Sequence, residues 1–377
     1  MIQVVNVISD TNIGGAGKCL LTYLRHADRD RFKVSVVLPK GSLLKPLITE
    51  LGYPVFEIDA MTDQSLDRRA IRQLKELFSV IKPDIVHSHA SMSARIAARS
   101  VRGCKIVYTR HSVFEPSARI SRGIGKLING MINNHYADGI IAVADAAKQN
   151  LIATGVSPKK IRVILNGVDP VDRLDPVACS LAREHFGIGV HEPVVAIIAR
   201  LTPVKGHRYL LEAIRLLKEK DILARFVIAG TGEAEHELRA LARQLDILDR
   251  VTFAGFLSDV TPLYNIMTIQ VNASYGTEAT SLSLLEGMSL GIPAVVSDFG
   301  GNPGVITDLK NGLITPQRDA PALARALARL LTDHELYHRL TAGAKAEFDA
   351  RFQAPVMCRS IESFYESLLS HESGHLK

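Results

Sequence analysis

Along the whole chain, short runs of aliphatic and β-branched residues alternate with longer stretches whose apolar positions recur at helical spacing. In the first half the strand-like runs fall at residues 3–8, 33–38, 55–58, 85–88, 105–109 and 140–143, and residues 161–169 read as a last strand ending in a turn. Strand and helix alternating in this way predict a parallel sheet wound on both faces by helices. Each run opens into a polar or glycine-containing loop, and in such sheets ligands sit outside the carboxyl ends of the strands. A Pro- and Asp-punctuated segment near 169–175 marks a linker. Beyond it the alternation starts again, with strands expected at 194–199, 225–229, 251–254, 268–271 and 294–297 and helices beginning near Gly206, Glu233, Val260 and Ala279. From Ala320 onward the pattern is helical with few breakers.

A length of 377 residues suits two domains, expected at 1–169 and 170–353: an α/β chain of two Rossmann-like halves. With 47% hydrophobic and 22% charged residues the chain is neither disordered nor membrane-spanning. It has no run of eighteen apolar residues, and residues 1–8 lack a basic leader and a small-residue cleavage site, so a cytoplasmic protein is expected. Cys19, Cys104, Cys179 and Cys358 show no C-x-x-C spacing, which argues against a disulfide framework or a zinc site. A net charge of +6 favours an anionic partner, whether nucleotide diphosphate, anionic lipid or nucleic acid. Aromatic residues at 6% and the absence of Trp leave nucleic-acid binding resting on charge alone.

The densest chemistry lies at 275–304. Glu278 and Glu286 stand eight positions apart around a Ser/Leu run that ends at Gly291-Ile292-Pro293. On one helix they would lie about 12 Å apart, too far for one metal or one acid/base dyad but suited to the two ends of an elongated ligand. The amides of Ala279, Thr280, Ser281 and Leu282, expected at the helix start, would face an anion between them. Taken alone, two such glutamates read first as an N-terminal dipole partner and a solvated helix residue, and it is their company that points to a ligand. Arg200 and Lys205, five apart on a loop with Pro203 and Gly206, can converge on one diphosphate, the Arg as a planar fork and the Lys as a point charge. Gly14 and Gly15, after the first strand, would let backbone approach a phosphate, though they match neither a P-loop nor a G-x-G-x-x-G fingerprint. The missing fingerprint also disfavours a nicotinamide oxidoreductase. His87-Ser88-His89 and His111 follow strands. A metal there would need a third ligand that the sequence does not name.

These motifs together resemble the retaining, GT-B-fold glycosyltransferases of family 4. The match rests on Glu278, Glu286, Gly291, Pro293 and Gly300-Gly301, on the R-x-x-x-x-K-G of Arg200 to Gly206, on Thr109-Arg110-His111, and on Asn166-Gly167-Val168-Asp169. The resemblance implies two domains facing a cleft, with the last helix, about 354–377, crossing back to the first. It implies a nucleotide-diphosphate sugar donor of UDP or GDP type, no cofactor, and a sugar or lipid-linked acceptor in polysaccharide, lipopolysaccharide or glycolipid synthesis. By the same resemblance Arg200, Lys205, Ser281, Leu282, Gly14 and Gly15 serve the diphosphate, Ala279 and Thr280 the sugar, and Glu286, Leu257 and Gly230 the ribose and base. His111 and Glu278 serve catalysis at the sugar, Asn166 and Gly167 act as a hinge, and no metal is used. An inverting transferase or a nucleotide-sugar epimerase is the alternative within enzymes.

Two positions depart from that family. Gly304 stands where a Glu is usual, and Gly287 occupies a helix interior where Ala is usual, at a cost of about 1 kcal/mol. Residues 119–133 form a helical stripe of apolar positions whose only charges are basic. A core-packed helix is expected there, with a helix lying on anionic lipid at the inner face of the membrane as the alternative.

Overall fold

The computed structural model describes residues Met1–Ser370. The chain divides into two compact units, one running to Gly167 and resuming at Ala354, the other spanning Val168–Gln353.

The first unit is a seven-stranded parallel sheet of β1 (Ile2–Ile8), β2 (Phe32–Pro39), β3 (Val55–Ile58), β4 (Ile85–His89), β5 (Lys105–Arg110), β6 (Gly139–Ala142) and β7 (Ile161–Val163), in the order β3-β2-β1-β4-β5-β6-β7. Residues of one parity, among them Val4, Ile8, Ile85 and Val107, pack against the helices Gly15–His26 and Ala354–Ser370. Those of the other parity, Val5, Val7, Val86 and Ile106, pack beneath the helices Arg68–Ile81 and Met92–Ala98. The last helix adds Met357, Cys358, Ile361 and Tyr365 to the first of these cores. It approaches β6 so closely that a Cβ on Gly139 would lie 2.5 Å from the Phe364 ring.

The second unit has β8 (Val194–Ile198), β9 (Arg225–Ala229), β10 (Val251–Gly255), β11 (Ile269–Asn272), β12 (Ala294–Ser297) and β13 (Gly312–Thr315), in the order β10-β9-β8-β11-β12-β13. Its helices begin at carboxylate caps where the sequence offers them: Asp175, Asp319 and Asp333 each accept a backbone amide three residues on.

Three expectations are corrected. The strand expected at 161–169 stops at Val163. β13 is an additional strand. Residues 119–133 are split at Gly123 (φ 53°) into the helices Ala118–Ser121 and Gly123–His135, and the second is not core-packed. It meets the unit through Gly130, where a Cβ would lie 2.2 Å from the Gly155 carbonyl oxygen, and through Asn129, Asn133 and Asn134, which bond Thr154, Arg95 and Gly155. With the glycine face turned inward, the apolar stripe turns out: Ile124 is 75% exposed, Leu127 66% and Met131 71%.

Candidate active site

In both sheets the strand order reverses beside the first strand of the unit, between β1 and β4 and between β8 and β11. Loops leaving two such strands in opposite directions open a crevice at their carboxyl ends. Gly14, Arg200, Lys205, Glu278, Ala279, Thr280 and Ser281 lie between strand and helix at these two points, whereas His111, Asn166, Gly167, Gly230 and Leu257 follow other strands of the two sheets.

In the second unit, Lys205 on the loop after β8 donates from Nζ to Glu278 Oε2 at 2.9 Å and to the Thr277 carbonyl at 3.4 Å. Lys205 is 17% exposed and Glu278 8%. The same Glu278 oxygen accepts from Asn272 Nδ2 and Ser274 Oγ, each at 3.2 Å. The ammonium has three hydrogens, so one remains for a phosphate oxygen, and Glu278 Oε1 remains for a hydroxyl. The pair is seated by close backbone approaches: a Cβ on Gly206 (φ 75°) would lie 2.0 Å from the Ala273 carbonyl oxygen, and one on Gly300 (φ 62°) 2.2 Å from that of Glu278. Arg200 is exposed, and its guanidinium makes no ion pair among the described residues.

Glu278 is not on the helix. The helix is Leu282–Ser289, capped by Ser281, whose hydroxyl accepts the Leu284 amide at 3.4 Å, so Ala279 and Thr280 belong to the preceding loop. The Ser283 hydroxyl donates to the Ile198 carbonyl at 3.1 Å, tying the helix start to the end of β8. Its first-turn amides, with Leu282 foremost, therefore open toward the Arg200–Lys205 loop. Glu286 lies within the helix and accepts the Tyr264 hydroxyl at 2.7 Å. The helical Gly287 has a steric reason: a Cβ there would lie 2.1 Å from Gln270 Oε1, displacing the side chain whose Nε2 donates to the Ser283 carbonyl. Gly230 (φ 135°) ends β9 under the same loop, 2.0 Å from the Ala199 carbonyl oxygen at its would-be Cβ. Leu257 packs onto the core beside Ala254 and Val260, while its neighbour Phe256 is 76% exposed. Nothing crowds a Cβ at Gly304, so the missing carboxylate there is not a matter of space.

In the first unit, Gly14 precedes the helix Gly15–His26 and neither Gly14 nor Gly15 has a positive φ. A Cβ on Gly15 would meet nothing, so packing within the unit does not require glycine there. The histidines form one cluster. The His87 ring contacts the Tyr365 hydroxyl through Nδ1 and the Thr109 hydroxyl through Nε2, both at 2.6 Å. His89 meets His111 Nε2 through Nδ1 at 2.9 Å and Asn6 Oδ1 through Nε2 at 3.1 Å. Burial pushes the His111 imidazole down to about 4 and that of His87 to about 3, and holds His89 well below the usual value. Asn166 is buried and lines the same cavity, and the Gly167 amide contacts Met357 Sδ at 3.2 Å. The one Asp-x-Asp of the sequence, Asp28-Arg29-Asp30, is a turn before β2, in which Asp28 Oδ1 accepts the amides of Asp30 and Arg31.

Sequence reasoning missed Asn272, Ser274 and Tyr264, which hold the two glutamates, and Asn6, which ends the histidine cluster. Only their strand and helix registers bring them there.

A family model described as Glycosyl transferases group 1 matches residues 180–347, and one described as Glycosyltransferase Family 4 matches residues 13–172. The putative glycosyltransferase EpsD of Bacillus subtilis (strain 168) is 31% identical over 278 residues, 71% of this chain and 73% of that protein. The UDP-Gal:alpha-D-GlcNAc-diphosphoundecaprenol alpha-1,3-galactosyltransferase of Escherichia coli is 27% identical over 355 residues, 89% of each chain. Among solved structures, Anabaena HepE in complex with UDP-glucose superposes with a TM-score of 0.84 at 22% identity, over 97% of this chain and 100% of that one. The chain belongs to the family 4, group 1 glycosyltransferases and has their GT-B fold of two Rossmann-like domains.

Proposed function

We propose that this glycosyltransferase moves a hexose from a UDP-type donor to a hydroxyl of a lipid-linked saccharide, with retention at the anomeric carbon and without a metal ion. The observation that carries the reading is the second unit's charge arrangement: the exposed Arg200, and Lys205 with one ammonium hydrogen unused, beside the opening of the Leu282–Ser289 helix. When the bond from the anomeric carbon to the phosphate oxygen breaks, negative charge grows on the diphosphate. Fixed cations and helix amides stabilise that charge more in the transition state than in the ground state. The acceptor oxygen bonds to the anomeric carbon, and its proton passes to the departing diphosphate. Glu278 and His111 orient the sugar, and Glu286, fixed by Tyr264, takes the ribose hydroxyls.

The UDP preference draws on the UDP-bound HepE structures and the UDP-Gal-using relative. A lipid-linked acceptor draws on the same relative and on the outward apolar face of the helix Gly123–His135, bordered by Arg119, Arg122 and Lys126. That face suits an anionic bilayer surface. No helix among the described residues is long and apolar enough to cross a membrane.

The test is thermal unfolding with EDTA present against UDP, GDP, ADP and their sugars. A ligand at one hundred times its dissociation constant adds about 2.7 kcal/mol. UDP compounds should shift the parent protein strongly and Arg200→Ala or Lys205→Ala weakly. Variants that respond like the parent would remove the diphosphate assignment, and a response that needs magnesium would remove the metal-free one.

A further inference from the structure

The imidazoles of His87 and His89 are stacked with ring centroids 4.3 Å apart, and His111 meets His89 edge to edge, its ring within 23° of the same plane and its centroid 5.2 Å away. The cluster is closed at its inner end by Asn6, which is 0% exposed. A neutral imidazole has one donor and one acceptor nitrogen, so the assignment of one proton fixes the next. Asn6 is oriented with Oδ1 toward the ring and its buried Nδ2 without a partner among the described residues, and since Oδ1 can only accept, in this orientation His89 carries its proton on Nε2 and presents a bare Nδ1. That nitrogen accepts from His111, which therefore carries its own proton on Nε2. The nitrogen of His111 left for a ligand is Nδ1, and it is an acceptor.

Two features hold this arrangement. His87 backs His89 face to face and is itself pinned by Thr109 and by Tyr365 of the last helix. No carboxylate lines the cavity around the stack, whose other titratable groups are Cys19 and Tyr23 from the helix Gly15–His26. Burial raises the Cys19 thiol to about 12 and pushes the Tyr23 and Tyr365 hydroxyls up, so all are neutral. Of the two carboxylates on the helix Ala354–Ser370, Glu362 accepts the Asp28 amide at 2.9 Å and Glu366 pairs with Arg31. An amide at Asn6, where a carboxylate would favour imidazolium, fixes the tautomer without adding charge.

We propose that Asn6 and His89 are positioning residues that lock His111 as the neutral Nε2–H tautomer, so that its Nδ1 accepts a hydrogen bond from a substrate hydroxyl and does not act as an acid. This rests on the reading of His111 as a sugar-facing residue, and it selects acceptance over proton shuttling.

The test is imidazole ¹⁵N spectroscopy of the full protein without substrate, with the His111 signals assigned by their loss in His111→Gln. In the parent, Nδ1 of His111 should show the shift of a bare ring nitrogen and Nε2 that of a protonated one. Asn6→Asp keeps the acceptor and adds a charge, so the His111 midpoint should rise by at least about one pH unit. The acid limb of kcat for sugar transfer should move up with it, while KM changes less. A proton on Nδ1 in the parent, or an Asn6→Asp protein whose midpoint and limb both stay in place, would overturn the proposal. The spectrum is read without turnover, so a protein that transfers no sugar yet shows the stated tautomer loses the functional reading alone.

Discussion

The two units are built alike and furnished differently. Each places its distinctive side chains where the strand order reverses, yet at β1/β4 these are neutral imidazoles bonded to one another, whereas at β8/β11 they are a lysine and glutamate pair with an arginine nearby. The scaffold therefore does not decide the chemistry. A departing diphosphate needs fixed positive charge, and a sugar hydroxyl needs a well-aimed acceptor whose charge does not change.

The contrast can be broken most forcefully at Lys205. Lys205→Ala should cut turnover by about 10²–10³-fold and, by leaving Glu278 buried without its partner, cost about 3 kcal/mol in unfolding free energy. Adding Glu278→Gln should restore much of the stability and none of the activity, which denaturant titration and a transfer assay would separate. A smaller effect separates the units by pH. Above about pH 6.5 the unfolded and folded chains are both neutral at His87, and its contribution is constant. Below that the unfolded chain takes up a proton that folded His87 refuses until about pH 3. Stability should thus fall with falling pH, by about 1.4 kcal/mol per pH unit for this residue alone. The second unit has one such buried histidine, His207, lowered to about 4, and its local unfolding, read by hydrogen exchange, should depend on pH less steeply.

Tyr264→Phe removes the hydroxyl that Glu286 accepts, and it should weaken donor binding by about 1 kcal/mol, seen in KM more than kcat. The smallest effect on folding is expected at the outward helix of the first unit. Leu127→Ser should change stability by no more than about 0.5 kcal/mol, since the side chain packs on little. The same change should reduce flotation with vesicles of anionic phospholipid.

Most strands were legible because buried parallel strands are short aliphatic runs. β13 escaped because Gly312–Thr315 is four residues long and begins at a glycine. The Glu278 and Glu286 pair was visible as spacing, but the helix start was misplaced because Ser281, and not Glu278, provides the cap. The links from Asn6 to His89 and from Tyr264 to Glu286 span 83 and 22 residues and depend on sheet register and helix packing, which local patterns do not carry. At residues 119–133 an amphipathic stripe reads the same whether it faces in or out. The contact between Gly130 and Gly155 decides.

Because Tyr365 arrives on the chain's last helix, the ribosome delivers the whole of Val168–Gln353 before the first unit has the piece that seals its core and steadies His87. The unit that carries the lysine and glutamate pair can mature while the unit that carries the histidines is still waiting. A nascent chain stopped at Gln353 would carry the lysine and glutamate site in finished form and an unsealed imidazole cluster in its first unit.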